Sequence, residues 1–328
     1  MIHEIQAKRV NPKVTKIMAL LIDIKQPGWM EDEELQAVLL KVYTQGDIRC
    51  AADPGNLDEI EMIAVSNYEM GEALRYPKLK LVQKIGAGVN GILDDDSLPA
   101  SIQVARLKSD TPAHEMAEFS LACVLQEQRH LRQYRDNQSR WCWQALPPRK
   151  AGETTVAVLG LGLIGSITAQ RFVDNRFNVI GWSRTKRTLA GVECYYGEDQ
   201  LAGVLEAADY IVSMLPSTPE TVNLFNSETF PLMKPEAVII NCGRGDLIDE
   251  ADLVEALDKG LLAVAILDVM QTEPLAVNSP MWRHPKIVLT PHVSGWHLGD
   301  AVNDIAENLR RLDSGEPLLH LVNREIGY

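Results

Sequence analysis

Thr155-Val156-Ala157-Val158-Leu159-Gly160-Leu161-Gly162-Leu163-Ile164-Gly165 is the stretch on which the fold turns. Five strand-forming residues run directly into G-x-G-x-x-G, and the helical pattern Ser166–Val173 follows. A strand, this glycine spacing and a helix in that order read as a dinucleotide-binding turn. Gly160 permits the tight turn, Gly162 lets a pyrophosphate approach the backbone, and Gly165 lets helix and strand pack closely. The N-terminus of the helix offers free N–H groups to the phosphates, and Leu163 and Ile164 are grouped with the glycines as cofactor contacts. A lone G-x-G-x-x-G also occurs as an ordinary strand-to-helix turn, so its surroundings decide.

Strand-like runs continue on the C-terminal side at Asn178–Trp182, Tyr210–Met214, Ala237–Asn241, Ala263–Leu267 and Ile287–Leu289. With Thr155–Leu159 they make six short strands separated by helical stretches, which a doubly wound parallel sheet requires. On the N-terminal side, Ile17–Asp23, Glu61–Val65 and Leu79–Ile85 read as strands and Glu31–Val42 as a helix. One long helix is expected from about His114 to about Arg135, and a last one from about Leu298 to Leu312. The tail beyond it is expected to pack back on the N-terminal unit. The expected fold is α/β, with two Rossmann-like domains. Residues 1–113 plus 297–328 are assigned to substrate binding and residues 114–296 to the dinucleotide.

At 328 residues the chain has room for two domains of ordinary size. Its net charge of −13 disfavours nucleic acid and anionic membrane surfaces as partners. No apolar run is long enough for a transmembrane helix, and the N-terminus lacks a secretory apolar core. A cytoplasmic location is expected. Cys50, Cys123, Cys142, Cys194 and Cys242 contain no CxxC pair. They read as reduced thiols, and no metal site is expected.

The end of the second strand of the series selects the cofactor. NAD-binding chains place Asp or Glu there for the ribose hydroxyls. Here the residues are Ser183-Arg184-Thr185-Lys186-Arg187, with no acid. Arg184 suits a 2′-phosphate, with Ser183, Thr185 and Lys186 beside it. NADPH is the expected cofactor, with NAD weaker. A solvated basic turn that accepts either cofactor is the plainer alternative.

Three segments at the carboxyl ends of later strands carry reactive side chains: Asn241–Asp246 with Arg244, Leu267–Leu275 with Asp268 and Glu273, and Thr290–Gly295 with His292. Ligands in open α/β sheets bind at those ends. Reduction of a 2-keto acid needs a hydride at C2 and a proton at oxygen. Histidine is a suitable acid near neutral pH. A neighbouring carboxylate orients its ring, and an arginine holds the substrate carboxylate and polarises the keto oxygen. Singly, each residue has a duller reading: a structural histidine, a capping arginine, a strand-ending glutamate.

GLGLIG, NCGRGDLIDE, LDVMQTEPL and TPHVSG resemble the D-isomer-specific 2-hydroxyacid dehydrogenases over nearly the whole chain. WSRTKR, MLPSTPETVNLFN, SPMWRHPKIVLTPH and NREIGY look most like the bacterial glyoxylate/hydroxypyruvate reductase A group. The resemblance implies an active site in a cleft between two domains, with Arg244 as substrate binder, Glu273 as histidine partner and His292 as acid/base. It implies that the loop Gly86-Ala87-Gly88-Val89, Ala87 and Gly88 above all, gives N–H groups to a substrate carboxylate. Asp268 falls at the position that contacts the nicotinamide amide, Pro216 is grouped with the cofactor contacts, and a homodimer is implied. Met270 departs from the family's aromatic residue, Trp296-His297 follows the histidine loop, and Ile48–Ala52 lacks the subgroup's tryptophan. A larger 2-keto acid, a different donor such as formate or phosphite, and a non-catalytic NAD(P)(H)-sensing protein stay open as other readings.

Overall fold

The computed structural model describes residues 18–26 and 28–324. The start of the expected first strand, at Ile17, the reading of the N-terminal segment and the final four residues of NREIGY lie outside them. The chain divides into two compact units. One holds the described residues up to Lys108 and from Asp300 onward; the other is Ser109–Gly299.

In the first unit, β1 (Ala19–Asp23), α1 (Asp32–Val42), β2 (Asp47–Cys50), β3 (Ile60–Val65), β4 (Leu81–Lys84), α2 (Asn90–Leu93) and β5 (Gln103–Ala105) follow in order. The strands form one parallel sheet, ordered β2-β1-β3-β4-β5. β2 and β5 are additions to the sequence reading. They are sheet edges of four and three residues, too short to show a period. The apolar run of β3 is buried throughout, as a central parallel strand requires.

The second unit opens with α3 (Asp110–Gln128) and α4 (Leu131–Ser139), then β6 (Thr155–Leu159), α5 (Leu163–Asp174), β7 (Asn178–Ser183), β8 (Val192–Tyr196), α6 (Leu201–Ala207), β9 (Tyr210–Ser213), β10 (Val238–Asn241), α7 (Glu250–Lys259), β11 (Val264–Leu267) and β12 (Ile287–Leu289). All seven strands are parallel, in the order β12-β11-β10-β9-β6-β7-β8. β6 pairs with both β7 and β9, so the direction of winding reverses beside it. That reversal is where open α/β sheets bind ligands. β8 is the strand that the sequence reading lacks. It is an edge strand with no fully buried residue, so it has no continuous apolar run to announce it.

The single long helix expected from His114 to Arg135 is two helices. The first starts at Asp110, because the Ser109 hydroxyl accepts from Thr111 N at 3.2 Å. It stops at Gln128, and His130 takes a left-handed backbone (φ 56°). The His130 ring meets the Pro147 carbonyl oxygen at 3.0 Å and Tyr134 Oη donates to Leu146 O at 3.1 Å. These ties hold the returning chain against α4, a tertiary contact invisible to helical periodicity.

Apolar clusters cover both faces of the second sheet. Phe225, Phe230, Leu253 and Leu257 pack on one face, and Phe172, Phe177 and Val124 on the other. In the first unit, α8 (Val302–Ser314) packs with α1. Its buried Asn308 donates to Gln83 Oε1 at 2.8 Å and accepts from Leu319 N at 2.7 Å. Val322 N then donates to Val104 O at 2.9 Å, so the tail lies along β5.

Candidate active site

The Gly160–Gly165 turn has the geometry its glycines suggest. Gly160 has φ 96°, a conformation side chains resist. A Cβ on Gly165 would lie 1.7 Å from the Gly160 carbonyl oxygen, so helix and turn touch directly there. A Cβ on Gly162 would meet nothing within 4 Å, which leaves open space in front of the helix. Gly162 is the N-cap of α5, and Leu163 and Ile164 form its first turn. The first N–H groups of a helix have no partner within it. An open approach and free donors fit the pyrophosphate of a dinucleotide.

At the end of β7, Ser183 is buried and its hydroxyl donates to Thr185 O at 2.8 Å. It shapes the turn that displays Arg184, Thr185, Lys186 and Arg187, all exposed. The Glu220 carboxyl is held below its ordinary range, first by the Thr218 side chain and then by its own backbone N–H, with the Arg184 cation contributing. The Arg184 cation is thus among the charges acting on Glu220 in the loop after β9. In that loop exposed Pro216 accepts from Thr221 Oγ1 at 2.7 Å.

His292, Glu273 and Arg244 come together beyond the ends of β12, β11 and β10. His292 Nδ1 lies 2.8 Å from Glu273 Oε2. The other carboxylate oxygen, Oε1, accepts from Met270 N at 3.0 Å, which closes the turn and aims Glu273 at the ring. Burial alone would raise the Glu273 carboxyl. The His292 hydrogen bond and charge, Met270 N and the Arg244 cation outweigh it and hold the carboxyl below its ordinary range. Burial pushes the Arg244 guanidinium down, against the pull of Glu273 and Asp246. A Cβ on Gly245 would lie 1.9 Å from the Met270 carbonyl, so the Arg244 segment is seated on the Glu273 segment. With Nδ1 turned to the carboxylate, Nε2 is the ring nitrogen left for a reactant.

In the first unit the loop Gly86–Val89 follows β4. Its first two carbonyls are engaged: Gly86 O accepts from Leu107 N at 2.9 Å and Ala87 O from Arg106 Nη1 at 3.3 Å. Ala87 N and Gly88 N have no partner among the described residues, and Ala87 is exposed. Unpaired N–H groups at a turn suit an anion.

The sequence profile of the family described as "D-isomer specific 2-hydroxyacid dehydrogenase, NAD binding domain" matches residues 121–294. This chain belongs to the D-isomer-specific 2-hydroxyacid dehydrogenases. Glyoxylate/hydroxypyruvate reductase A of Serratia proteamaculans is 37% identical to the dehydrogenase over 257 residues, 76% of this chain and 82% of that one. A 2-hydroxyacid dehydrogenase of Xanthobacter autotrophicus Py2, crystallised with NADPH and MES, superposes with a TM-score of 0.86 at 36% identity, covering 95% of this chain and 100% of that one. An NADPH-dependent glyoxylate/hydroxypyruvate reductase of Sinorhizobium meliloti, crystallised with NADP and sulfate, superposes with a TM-score of 0.86 at 32% identity over the same shares.

One feature of the dehydrogenase was not in the sequence reading: the bracing role of Asp268. It is fully buried. Its Oδ1 accepts from Thr290 Oγ1 at 2.6 Å and Val293 N at 2.9 Å, and its Oδ2 from Ser294 N at 2.9 Å. Its backbone oxygen takes His292 N at 2.8 Å. An aspartate ending a fully apolar strand, facing a Thr-Pro-His turn, was the available signal. Among the described residues no group of three or more His, Cys, Asp or Glu is placed to hold a metal, and all five cysteines are free thiols. No described helix is long and apolar enough to cross a membrane.

Proposed function

We propose that this dehydrogenase uses NADPH to reduce small 2-keto acids, glyoxylate and hydroxypyruvate foremost, to D-2-hydroxy acids. The 2.8 Å contact of His292 with Glu273, beside Arg244, carries the proposal. When bound, the nicotinamide supplies the hydride. Arg244 pairs with the substrate carboxylate and polarises the keto oxygen. His292 delivers the proton to that oxygen from Nε2, while Glu273 holds the ring by Nδ1. Ala87 N and Gly88 N are assigned to the substrate carboxylate. The unit up to Lys108 and from Asp300 onward, expected as 1–113 plus 297–328, is read as the substrate domain, and Ser109–Gly299, expected as 114–296, as the cofactor domain.

The choice of NADPH rests on Arg184 and Lys186 and on the absence of a carboxylate at the end of β7. It is in keeping with the ligands named for the Xanthobacter and Sinorhizobium proteins. Asp268 is assigned to the nicotinamide amide, Pro216 to the cofactor's flank, and Gly160, Gly162, Leu163, Ile164 and Gly165 to the pyrophosphate. A homodimer in the cytoplasm is the proposed state. The segment after α4 supports the dimer: Trp141 and Trp143 are almost wholly exposed, a costly arrangement for a lone chain.

The test is oxidation of NADPH and of NADH by the purified protein with glyoxylate, hydroxypyruvate, pyruvate, phenylpyruvate and 2-ketoisocaproate. Fast NADPH-dependent turnover of the first two is expected. A preference for the bulky acids would overturn the substrate, and tight NADPH binding without turnover would overturn the enzyme.

A further inference from the structure

We infer that Glu115 is a positioning residue for this reaction, fastening from α3 the loop that carries His292. The inference rests on the reading of His292 as the acid/base group. His292 has φ 56°, a left-handed backbone that a non-glycine residue keeps only where its surroundings impose it. The loop Thr290–His297 is pinned at its first half by Asp268, through Thr290, Val293 and Ser294.

Its second half is tied to a carboxylate on α3. Glu115 Oε2 accepts from Trp296 N at 2.7 Å and from His297 N at 2.9 Å, and Glu115 Oε1 is in close contact with His297 Nδ1. Burial would raise the Glu115 carboxyl, but the bonds from His297 and Trp296 outweigh it and hold it low. The loop lies against the same helix on either side of this anchor. A Cβ on Gly295 would be 3.2 Å from Met116 Cγ and from Pro112 Cβ, and one on Gly299 would be 2.1 Å from Thr111 Oγ1.

α3 is a sound anchor. It is 19 residues long, buries Ala113, Ala117 and Val124, and packs on α5, the helix that opens at Gly162. Removing the Glu115 carboxylate takes away the acceptor of Trp296 N and His297 N and loosens the loop beyond Ser294. The His292 ring is then held from one side only. A displacement of about 1 Å at a reacting group costs on the order of 100-fold in rate. Among the described residues no hydrogen bond or ion pair joins Glu115 to the pyrophosphate turn.

The experiment compares Glu115→Ala, Glu115→Gln, His292→Ala and the double variant Glu115→Ala/His292→Ala. The readouts are glyoxylate reduction and NADPH titration by fluorescence. The expected result for Glu115→Ala is a fall in kcat of about ten- to a hundredfold with NADPH affinity unchanged. Glu115→Gln restores most of the rate, because its side-chain oxygen still accepts from both backbone N–H groups. On the His292→Ala background the second change lowers the residual rate no further, since both act through one ring. Parent-like kcat in Glu115→Ala, with His292→Ala inactive, would overturn the positioning role alone. A fully active His292→Ala would overturn the acid/base reading as well. If Glu115→Ala does not fold, Glu115→Asp supplies the same readout: it keeps the charge but shortens the reach, and unchanged kcat there would reject the role.

Discussion

Arg184 and Glu273 do opposite things with charge, and each can be tested by itself. Arg184 stands on an exposed turn held by the Ser183 hydroxyl. A guanidinium has nothing charged to bind at an unmodified ribose and two or three good bonds to make to a 2′-phosphate. Arg184→Ala should weaken NADPH by at least about tenfold, the equivalent of 1.4 kcal/mol, and NADH hardly at all. Equal weakening of both, measured by cofactor titration, would reject the 2′-phosphate assignment. Glu273 is held below its ordinary 4.5. A carboxyl with a lowered folded pKa stabilises the fold above its unfolded pKa, and that contribution disappears as pH falls through the folded value. Glu273→Gln should therefore be less stable than the parent at pH 7, with the gap closing below about pH 4.5. Urea midpoints across this range decide it; a gap independent of pH would contradict the His292 pairing.

Among the elements, the β6–α5 turn was legible because its constraints are local: a strand, three glycines and a helix within one stretch. Gly165→Ala should abolish dinucleotide binding, since the added Cβ has a backbone oxygen 1.7 Å away and no flexible neighbour to yield. Retained NADPH binding, followed by fluorescence, would show that the turn is looser than its geometry. The elements missed by sequence were those that lack a pattern of their own. β8 is a half-exposed edge, β2 and β5 are very short, and the break between α3 and α4 comes from a chain that returns from Leu146 and Pro147 to meet it. Boundaries shifted for the same kind of reason. Ser109 extends α3 backward, and the last helix begins at Val302 rather than Leu298, after a short 3-10 turn at Gly299–Ala301.

At the scale of the molecule, stability lies in two apolar interiors, one built around each parallel sheet. Phe172 is completely buried under the second sheet and meets Phe177 edge-on, with ring centroids 5.6 Å apart. Phe172→Ala should cost about 3–5 kcal/mol and lower the melting temperature. A loss under about 1 kcal/mol would mean that the cavity collapses. Glycine spacing, strand periodicity and the missing acid after β7 are one-dimensional facts, so the doubly wound class, the dinucleotide turn and the basic end of β7 could be read from the chain alone. The candidates Arg244, Glu273 and His292 could be named that way too, because strand ends in such sheets converge. Their mutual geometry could not. The 2.8 Å contact of His292 with Glu273 depends on β11 lying between β10 and β12 and on the Met270 turn. The braces from Asp268 and Glu115 join residues far apart in sequence. Hydrogen bonds across such separations leave no local period, and only the packing of α3 and the sheet sets them.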